Sequence, residues 1–243
     1  MAGQARNDLL GTLIAALERD PRVNLHRCPI HPALREDTLV LDGTMDSIAE
    51  KKAAFAIAHR IAGNMPVLDR LRVKVGEPME DGALRDEVVN VLLREAVFAK
   101  YGLRVKRDGT MEVVRETLNE GGGLIGIAVH KGVVQLTGKV GSLSHRRLAE
   151  VRVWWTGGCE LVENHLKVEP PEKETDDELT DAVRMVLEMD PLVHAGQIYA
   201  RAHDGVVTLE GYVASKEEKK LAILDAWYVP GVHEVVDRLE ARS

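Results

Sequence analysis

The stretch VVTLEGYVAS, from Val206 to Ser215, decides the fold, because the 243-residue chain contains its pattern three times. The other two copies are TLVLDGTMDS, from Thr38 to Ser47, and VVQLTGKVGS, from Val133 to Ser142. All three alternate apolar and polar residues, which is typical of a half-buried β-strand. Matching residues at fixed offsets do not arise from composition, so the chain carries an internal repeat.

Two glycines and one serine keep fixed positions in every copy. A glycine inside a strand marks a bulge or a close approach of another backbone. The serine four residues later predicts the N-cap of a second helix, and the glycine twenty residues after the first predicts a left-handed position at the end of that helix. In chain order these are Gly43, Ser47 and Gly63; Gly138, Ser142 and Gly158; and Gly211, Ser215 and Gly231.

Helix and turn signals surround each glycine strand. Glu50 and Glu218 stand three residues after their serines and complete capping boxes, whereas repeat two has His145 there and a weaker predicted cap. A further amphipathic helix is predicted upstream of each copy. Asp204-Gly205 predicts a two-residue hairpin turn before the third glycine strand. The predicted unit is therefore helix, strand, strand, helix, strand.

The predicted fold class is α+β, with three tandem αββαβ units. Each unit is expected to form a three-stranded mixed sheet with two helices on one face, which closes a core. The predicted boundaries are residues 1–77, 78–170 and 171–243. Repeat two carries an insertion at 97–123, predicted as an extra hairpin with a short helical tail that stands outside the repeat-two core. In repeat one, Pro29 and Pro32 confine the first strand to an edge or a loop.

Each unit has this order of elements, a strand glycine, a capped helix and a terminal Val-x-(Asp/Asn)-x-Leu motif. In these features it resembles the BON domain of bacterial proteins. The resemblance is best in the third copy and weakest in the first. It implies a binding protein without a cofactor, whose ligands are anionic phospholipid, a small ligand, a monovalent cation such as potassium, or another protein. The three motifs run from Val67 to Leu71, from Val162 to Leu166 and from Val235 to Leu239.

Composition excludes several classes of protein. The net charge of −7 argues against a nucleic-acid partner, since phosphate binding needs a cationic surface. The chain has no apolar stretch long enough for a transmembrane segment and no secretory signal at its start. Two cysteines are too few for a disulfide framework. We therefore expect a cytoplasmic protein.

Two groups of residues are candidates for ligand binding. Alternation places Arg70, Arg72 and Lys74 on one face of the last strand of repeat one, where they could hold a phosphate or a lipid headgroup. An ordinary solvated strand face is the favoured alternative. Trp154 and Trp227 occupy equivalent positions in repeats two and three. They are interpreted as packing residues, with a ligand or membrane-interface anchor as the second possibility.

Catalytic and metal-binding groups are scarce in the sequence. His26, Cys28 and His31 place three potential metal ligands within six residues, but a zinc site needs a fourth ligand and outer-shell partners. A loop with a packed cysteine is the favoured interpretation, so no metal is expected. Cys159 stands at a turn position without an obvious partner base. With no catalytic triad or phosphate loop, the chain is not expected to be an enzyme.

Two hypotheses of function follow. The first is a non-enzymatic BON-domain scaffold that binds a small ligand, an ion or anionic phospholipid through its repeats. The second is a structural module that self-associates into a homo-oligomer through its sheet edges and the repeat-two insertion, because three-stranded sheets expose edges that invite pairing.

Overall fold

The computed structural model describes residues 2–118 and 122–242, with the side chains of residues 2–7 left out. The chain divides into two compact units, Met1–Lys74 and Val75–Ser243, and the second unit contains both C-terminal repeats. Across the described ranges, no helix has the length and apolar character needed to cross a bilayer.

The N-terminal unit has the predicted order of elements. Its sheet has the order β1-β2-β3, antiparallel between the first pair and parallel between the second. The first strand, which contains Pro32, lies at the edge of this sheet, as its prolines predict. The elements are α1 (Ala2–Arg19), β1 (Ile30–Arg35), β2 (Thr38–Met45), α2 (Ile48–Ala62) and β3 (Val67–Val73).

Repeat two forms a five-stranded central sheet in the order β5-β4-β6-β7-β8. A single 3-10 turn, Ala96–Phe98, precedes its first hairpin. The elements are α3 (Asp81–Arg94), β4 (Gly102–Arg107), β5 (Thr110–Arg115), β6 (Leu124–His130), β7 (Val133–Val140), α4 (Leu143–Trp154) and β8 (Leu161–Val168).

Repeat three forms a three-stranded C-terminal sheet in the order β11-β10-β9. Its strands pair as in repeat one, with an antiparallel hairpin followed by a parallel strand. The predicted αββαβ order and three-stranded sheet are therefore confirmed in repeats one and three. In repeat two the hairpin of the insertion adds two strands, so the expectation of a three-stranded sheet is wrong there. The elements are α5 (Asp176–Met189), β9 (Ile198–His203), β10 (Val206–Val213), α6 (Lys216–Tyr228) and β11 (Glu234–Ala241).

The repeat-two insertion forms the predicted hairpin, but the expectation that it stands outside the core is wrong. β4 pairs in parallel with β6 and so extends the sheet. Phe98 and Leu103 are fully buried and Val105 is 1% exposed, so the insertion contributes to the repeat-two core. The helical turn precedes the hairpin, and residues 116–118 after it are not helical. Residues 119–121 of the insertion lie outside the described residues.

The strand glycines permit a close approach of another backbone, as predicted. Gly211 has φ +128°, and a Cβ atom there would lie 2.1 Å from the carbonyl oxygen of Gln197. Gly138 has φ +112°, and its Cβ atom would lie 2.1 Å from the carbonyl oxygen of Leu124. At Gly43 the equivalent distance, to the carbonyl oxygen of Pro29, is 2.7 Å. A side chain at these positions would collide with the backbone at the start of the first strand of the hairpin or just before it.

The three predicted serine caps are confirmed. The Oγ atoms of Ser47, Ser142 and Ser215 each accept a hydrogen bond of 3.1 Å from the backbone N–H three residues later. This contact satisfies one of the backbone donors that a helix N-terminus leaves without a partner.

The glycine twenty residues after each strand glycine was predicted to end the second helix of its repeat. This prediction is confirmed only in repeat one. Gly63 caps α2 with φ +59°, whereas α4 ends four residues before Gly158 and α6 ends three residues before Gly231. In repeat three the helix ends before Pro230, because a proline disfavours helical geometry in the residue ahead of it. In repeat two, consecutive glycines at 157 and 158 weaken the helix.

Candidate ligand-binding surfaces

The basic strand, which we define as Arg70, Arg72 and Lys74, is only partly a strand: Arg70 and Arg72 lie in β3, which ends at Val73, and Lys74 follows it directly. Leu71 is fully buried in the core of the unit, whereas Arg70 is exposed and Arg72 is half-buried. Leu68, on the same side as both arginines, has an exposed fraction of 42%. The face of the sheet opposite the helices, which we call its open face, therefore combines guanidinium groups with exposed apolar surface.

Lys74 has a carboxylate partner within the N-terminal unit. Its Nζ lies 2.6 Å from the carboxylate of Asp46, which also lies 2.5 Å from Nε of Arg27. The hydrogen bond from Lys74 lowers the pKa of Asp46, and the same contact raises the pKa of Lys74. Both side chains therefore stay charged at neutral pH, and part of the positive charge of Lys74 is balanced within the unit.

Trp154 and Trp227 occupy packing positions. Their exposed fractions are 7% and 8%, and the ring of Trp154 lies 6.3 Å from that of Tyr228 on α6. In the same interface, Nε of Arg147 donates a 2.9 Å hydrogen bond to the carbonyl oxygen of Pro230. These contacts join repeats two and three, and they favour the packing interpretation of the tryptophans.

The residues His26, Cys28 and His31 are not brought together in a metal site. Cys28 is fully buried, whereas both histidines are exposed. The thiol instead lies within 4.8 Å of carboxylate oxygens of Asp46 and Glu50. Burial raises the pKa of Cys28 and keeps the thiol protonated, and the Glu50 carboxylate already accepts hydrogen bonds from two backbone N–H groups. This arrangement is a hydrogen-bonded helix start rather than a ligand set.

Cys159 has the properties of a structural thiol. It is 4% exposed, and its Sγ lies 3.6 Å from the carbonyl oxygen of Leu161. Burial raises its pKa to about 12, so the reactive thiolate is not formed at neutral pH.

A cleft of about 310 Å³, which we call the arginine cleft, lies on the C-terminal repeat and was missed by the sequence analysis. It brings together side chains from α5 and from all three strands of the sheet. The strand alternation could have placed Tyr199 and Arg201 on one face, but no sequence pattern links them to a helix. The charged and polar residues that line it are Arg184, Tyr199, Arg201, Thr208, Glu210 and Arg238.

Comparison with protein families gives a match in the second and third repeats. A family model described as the BON domain matches residues 111–170 and 175–243, more than half of the chain. The chain belongs to the BON-domain family. The match does not extend to the first repeat, so a BON domain there stays a prediction.

Comparisons with individual proteins give little further information about this BON protein. A search of curated proteins finds no match. The C-terminal domain of CdsD, a structural protein of the type III secretion system of Chlamydia trachomatis, is 12% identical over 97% of this chain and 98% of that chain, with a TM-score of 0.26. A second CdsD structure is 13% identical over 97% and 94% of the two chains, with a TM-score of 0.24. Scores this low carry no argument about function.

Proposed function

We propose that this BON protein is a non-catalytic scaffold that attaches to anionic phospholipid surfaces through its basic strand. The observation that carries the proposal is the position of Arg70 and Arg72 on the open face of the N-terminal sheet, beside the exposed Leu68. Guanidinium groups donate paired hydrogen bonds to phosphate oxygens, and an exposed leucine can enter the headgroup region. The family resemblance implies binding to such surfaces, although the family match covers repeats two and three rather than this repeat.

Charge limits the strength of this attachment. Each cation close to an anionic surface contributes about 1 kcal/mol, so the three residues support weak and reversible binding. Lys74 contributes less than Arg70, because Asp46 already balances part of its charge. The net charge of −7 opposes approach to an anionic surface, so the attraction is local and falls as salt shortens the Debye length from about 30 Å at 0.01 M to about 3 Å at 1 M.

Co-sedimentation with phosphatidylglycerol vesicles at low and high salt tests the proposal. The test variant replaces Arg70, Arg72 and Lys74 with glutamine. A matched control replaces three exposed cations of the central repeat with glutamine and therefore has the same net charge. The control positions are Arg104, Lys106 and Lys167.

We expect the wild type and the control to sediment with vesicles at low salt and the test variant to stay in solution. Absence of wild-type binding at low salt would contradict attachment to phospholipid. Equal loss of binding in both variants would show that overall charge, rather than the basic strand, governs the interaction.

Self-association is a second candidate function, supported by the outer edge of the central sheet. β5 is a terminal strand of that sheet, and an edge strand offers unpaired backbone groups to another chain. Large apolar side chains are also exposed along and just after this strand, in contrast to the buried residues of β4. These are Met111, Val113, Val114 and Leu118, with exposed fractions of 45%, 50%, 37% and 69%.

Light scattering as a function of protein concentration tests this candidate. Val113→Lys should reduce the apparent mass, because a charged side chain on an edge strand opposes pairing. Leu192→Lys is the control, since Leu192 is 65% exposed but lies outside every strand. A monomeric mass at all concentrations would exclude this candidate.

Binding of a monovalent cation such as potassium stays a prediction that rests on the family resemblance. A native mass spectrum of protein prepared in potassium buffer would report a retained ion together with the oligomeric state.

A further inference from the structure

We infer that the arginine cleft of the C-terminal repeat is a binding site for a phosphate monoester. The inference does not rest on the phospholipid proposal, because the cleft and the basic strand lie in different compact units of the chain.

The strand register places the side chains of the cleft on the open face of the C-terminal sheet. Arg201 on β9 is the pairing partner of Thr208 on β10. Two residues further along β10, Glu210 pairs with Tyr199 on β9 and with Arg238 on β11. The residues that alternate with them face the helices and are buried. These are Ile198, Ala202, Val207, Leu209 and Leu239.

Arg184 approaches this face from a different element. It lies on α5, the helix that packs beside β9 through a 2.9 Å hydrogen bond from the backbone N–H of Ala202 to Oγ1 of Thr180. The cleft therefore receives guanidinium groups from one helix and from two strands. Convergence of cations from separate elements is the arrangement that an anion with several oxygens requires.

The charges in the cleft do not cancel. Three arginines and one glutamate give the lining a net charge of +2. Glu210 accepts a 2.8 Å hydrogen bond from Arg238, whereas Arg184 lies 3.7 Å from Asp181, beyond a normal hydrogen bond. Within residues 2–118 and 122–242, the Arg201 guanidinium makes neither a hydrogen bond nor an ion pair. Its donors are available to a ligand.

These features favour a phosphate monoester over a carboxylate. A monoester carries between one and two negative charges at neutral pH on three terminal oxygens, which matches both the charge and the number of donors. A carboxylate has one charge and two oxygens, which a single arginine satisfies. The exposed ring of Tyr199 offers a surface for the organic part of the ligand. A volume of about 310 Å³ suits a small molecule rather than a polymer.

Two probes distinguish a soluble ligand from a lipid headgroup. The first is glycerol 3-phosphate, added to the full chain while amide ¹H–¹⁵N chemical shifts are recorded. The second is a phosphatidylcholine vesicle that contains phosphatidic acid, whose headgroup is also a phosphate monoester. Each probe is applied to the wild type, to Arg201→Gln, to Arg184→Gln and to the control Arg104→Gln. Arg104 is an exposed arginine of the central sheet, outside the cleft.

We expect glycerol 3-phosphate to shift the amides of residues 199–201 and 208–210. Arg201→Gln and Arg184→Gln should each weaken binding about tenfold, the loss expected for a charge-assisted hydrogen bond, and Arg104→Gln should leave it unchanged. The amide spectrum of each variant also reports whether it is folded. Vesicle binding that depends on Arg201, without a response to glycerol 3-phosphate, would assign the same site to a lipid headgroup.

The inference is overturned if neither probe distinguishes the two cleft variants from Arg104→Gln, whether because nothing binds or because all variants bind equally. The glutamine variant of the basic strand separates this result from the phospholipid proposal. It should leave the glycerol 3-phosphate titration unchanged, because it alters the other unit.

Discussion

The hydroxyl of Tyr101 lies 2.5 Å from Nδ1 of His145 and accepts a 2.9 Å hydrogen bond from the backbone N–H of Gly141. Tyr101 belongs to the repeat-two insertion, whereas His145 lies in the first turn of α4. Burial lowers the pKa of His145, which favours the neutral ring at this contact. The insertion thus completes the start of the second helix of its repeat.

Glutamates perform the same task in the other two repeats. The Glu50 carboxylate accepts a 3.0 Å hydrogen bond from the backbone N–H of Asp46, and that of Glu218 accepts one of 2.6 Å from Ala214. Both N–H groups belong to the residue just before the capping serine. The N–H group of Gly141, which Tyr101 binds, has the same position in repeat two. The Tyr101 hydroxyl therefore replaces a carboxylate that repeat two lacks.

Tyr101→Phe should destabilise the protein by about 1–2 kcal/mol, because it leaves a partly buried N–H and a histidine nitrogen without their partner. The measurement is the free energy of unfolding in urea. Tyr199→Phe is the control, since that tyrosine is 75% exposed and the change should fall within about 0.5 kcal/mol of zero. Equal effects of the two substitutions would show that the Tyr101 hydroxyl contributes nothing to stability.

The role of Tyr101 shows where sequence patterns stop being informative. The caps at Ser47, Ser142 and Ser215 are local, because each joins residues three apart, so spacing alone predicts them. Tyr101 and His145 are separated by 44 residues, and no periodicity links them. The insertion was therefore expected to lie outside the core, although it replaces a missing capping carboxylate.

The arginine cleft was missed for a related reason. Alternation predicts that Tyr199 and Arg201 share a face, but it does not show which other side chains reach that face. Arg184 and Arg238 come from a helix and a strand far apart in sequence. The basic strand was recognised only because its three cations are nearly consecutive, and its sequence did not reveal that Lys74 pairs with Asp46.

Replacing Ser215 with alanine should reduce the free energy of unfolding by about 1 kcal/mol, because the N–H of Glu218 loses its acceptor. Ser215→Asp should restore most of the loss, since aspartate is also a favoured N-cap. Urea denaturation monitored by circular dichroism measures both. An unchanged midpoint for the alanine variant would mean that this cap does not stabilise α6.

Gly211→Ala should be more damaging than the loss of a cap. The new methyl group would lie 2.1 Å from the carbonyl oxygen of Gln197, and φ is +128°, so β9 must move away from β10. We expect a loss of more than about 2 kcal/mol, measured by urea denaturation. Gly196→Ala is the control, because no atom lies within 4 Å of its added Cβ. Similar stabilities of the two variants would contradict the close approach of the strands.

Asp225, on α6, is a buried carboxyl group near a second acid. It is 3% exposed, and among the described residues its Oδ2 has no hydrogen-bond partner. Burial, and then the nearby carboxylate of Asp190, raise the pKa of Asp225 from 3.8 to about 8. The folded protein therefore holds this proton more tightly than the unfolded chain does. The stability that Asp225 contributes is complete below about pH 4 and is lost as the pH rises towards 8.

Asp225→Asn should therefore make the protein more stable, and the gain should grow from pH 5 to pH 8. The amide has nearly the same shape as the protonated acid and cannot ionise, so it avoids the penalty that the wild type incurs at high pH. Each pKa unit corresponds to about 1.4 kcal/mol, and we expect a gain of at least about 1 kcal/mol at pH 8. Urea denaturation of both proteins at the two pH values measures it. Glu188→Gln removes one exposed negative charge from α5 and should show no such growth with pH. A variant that is less stable than the wild type at pH 8 would mean that the Asp225 carboxylate is ionised and stabilised in the folded protein.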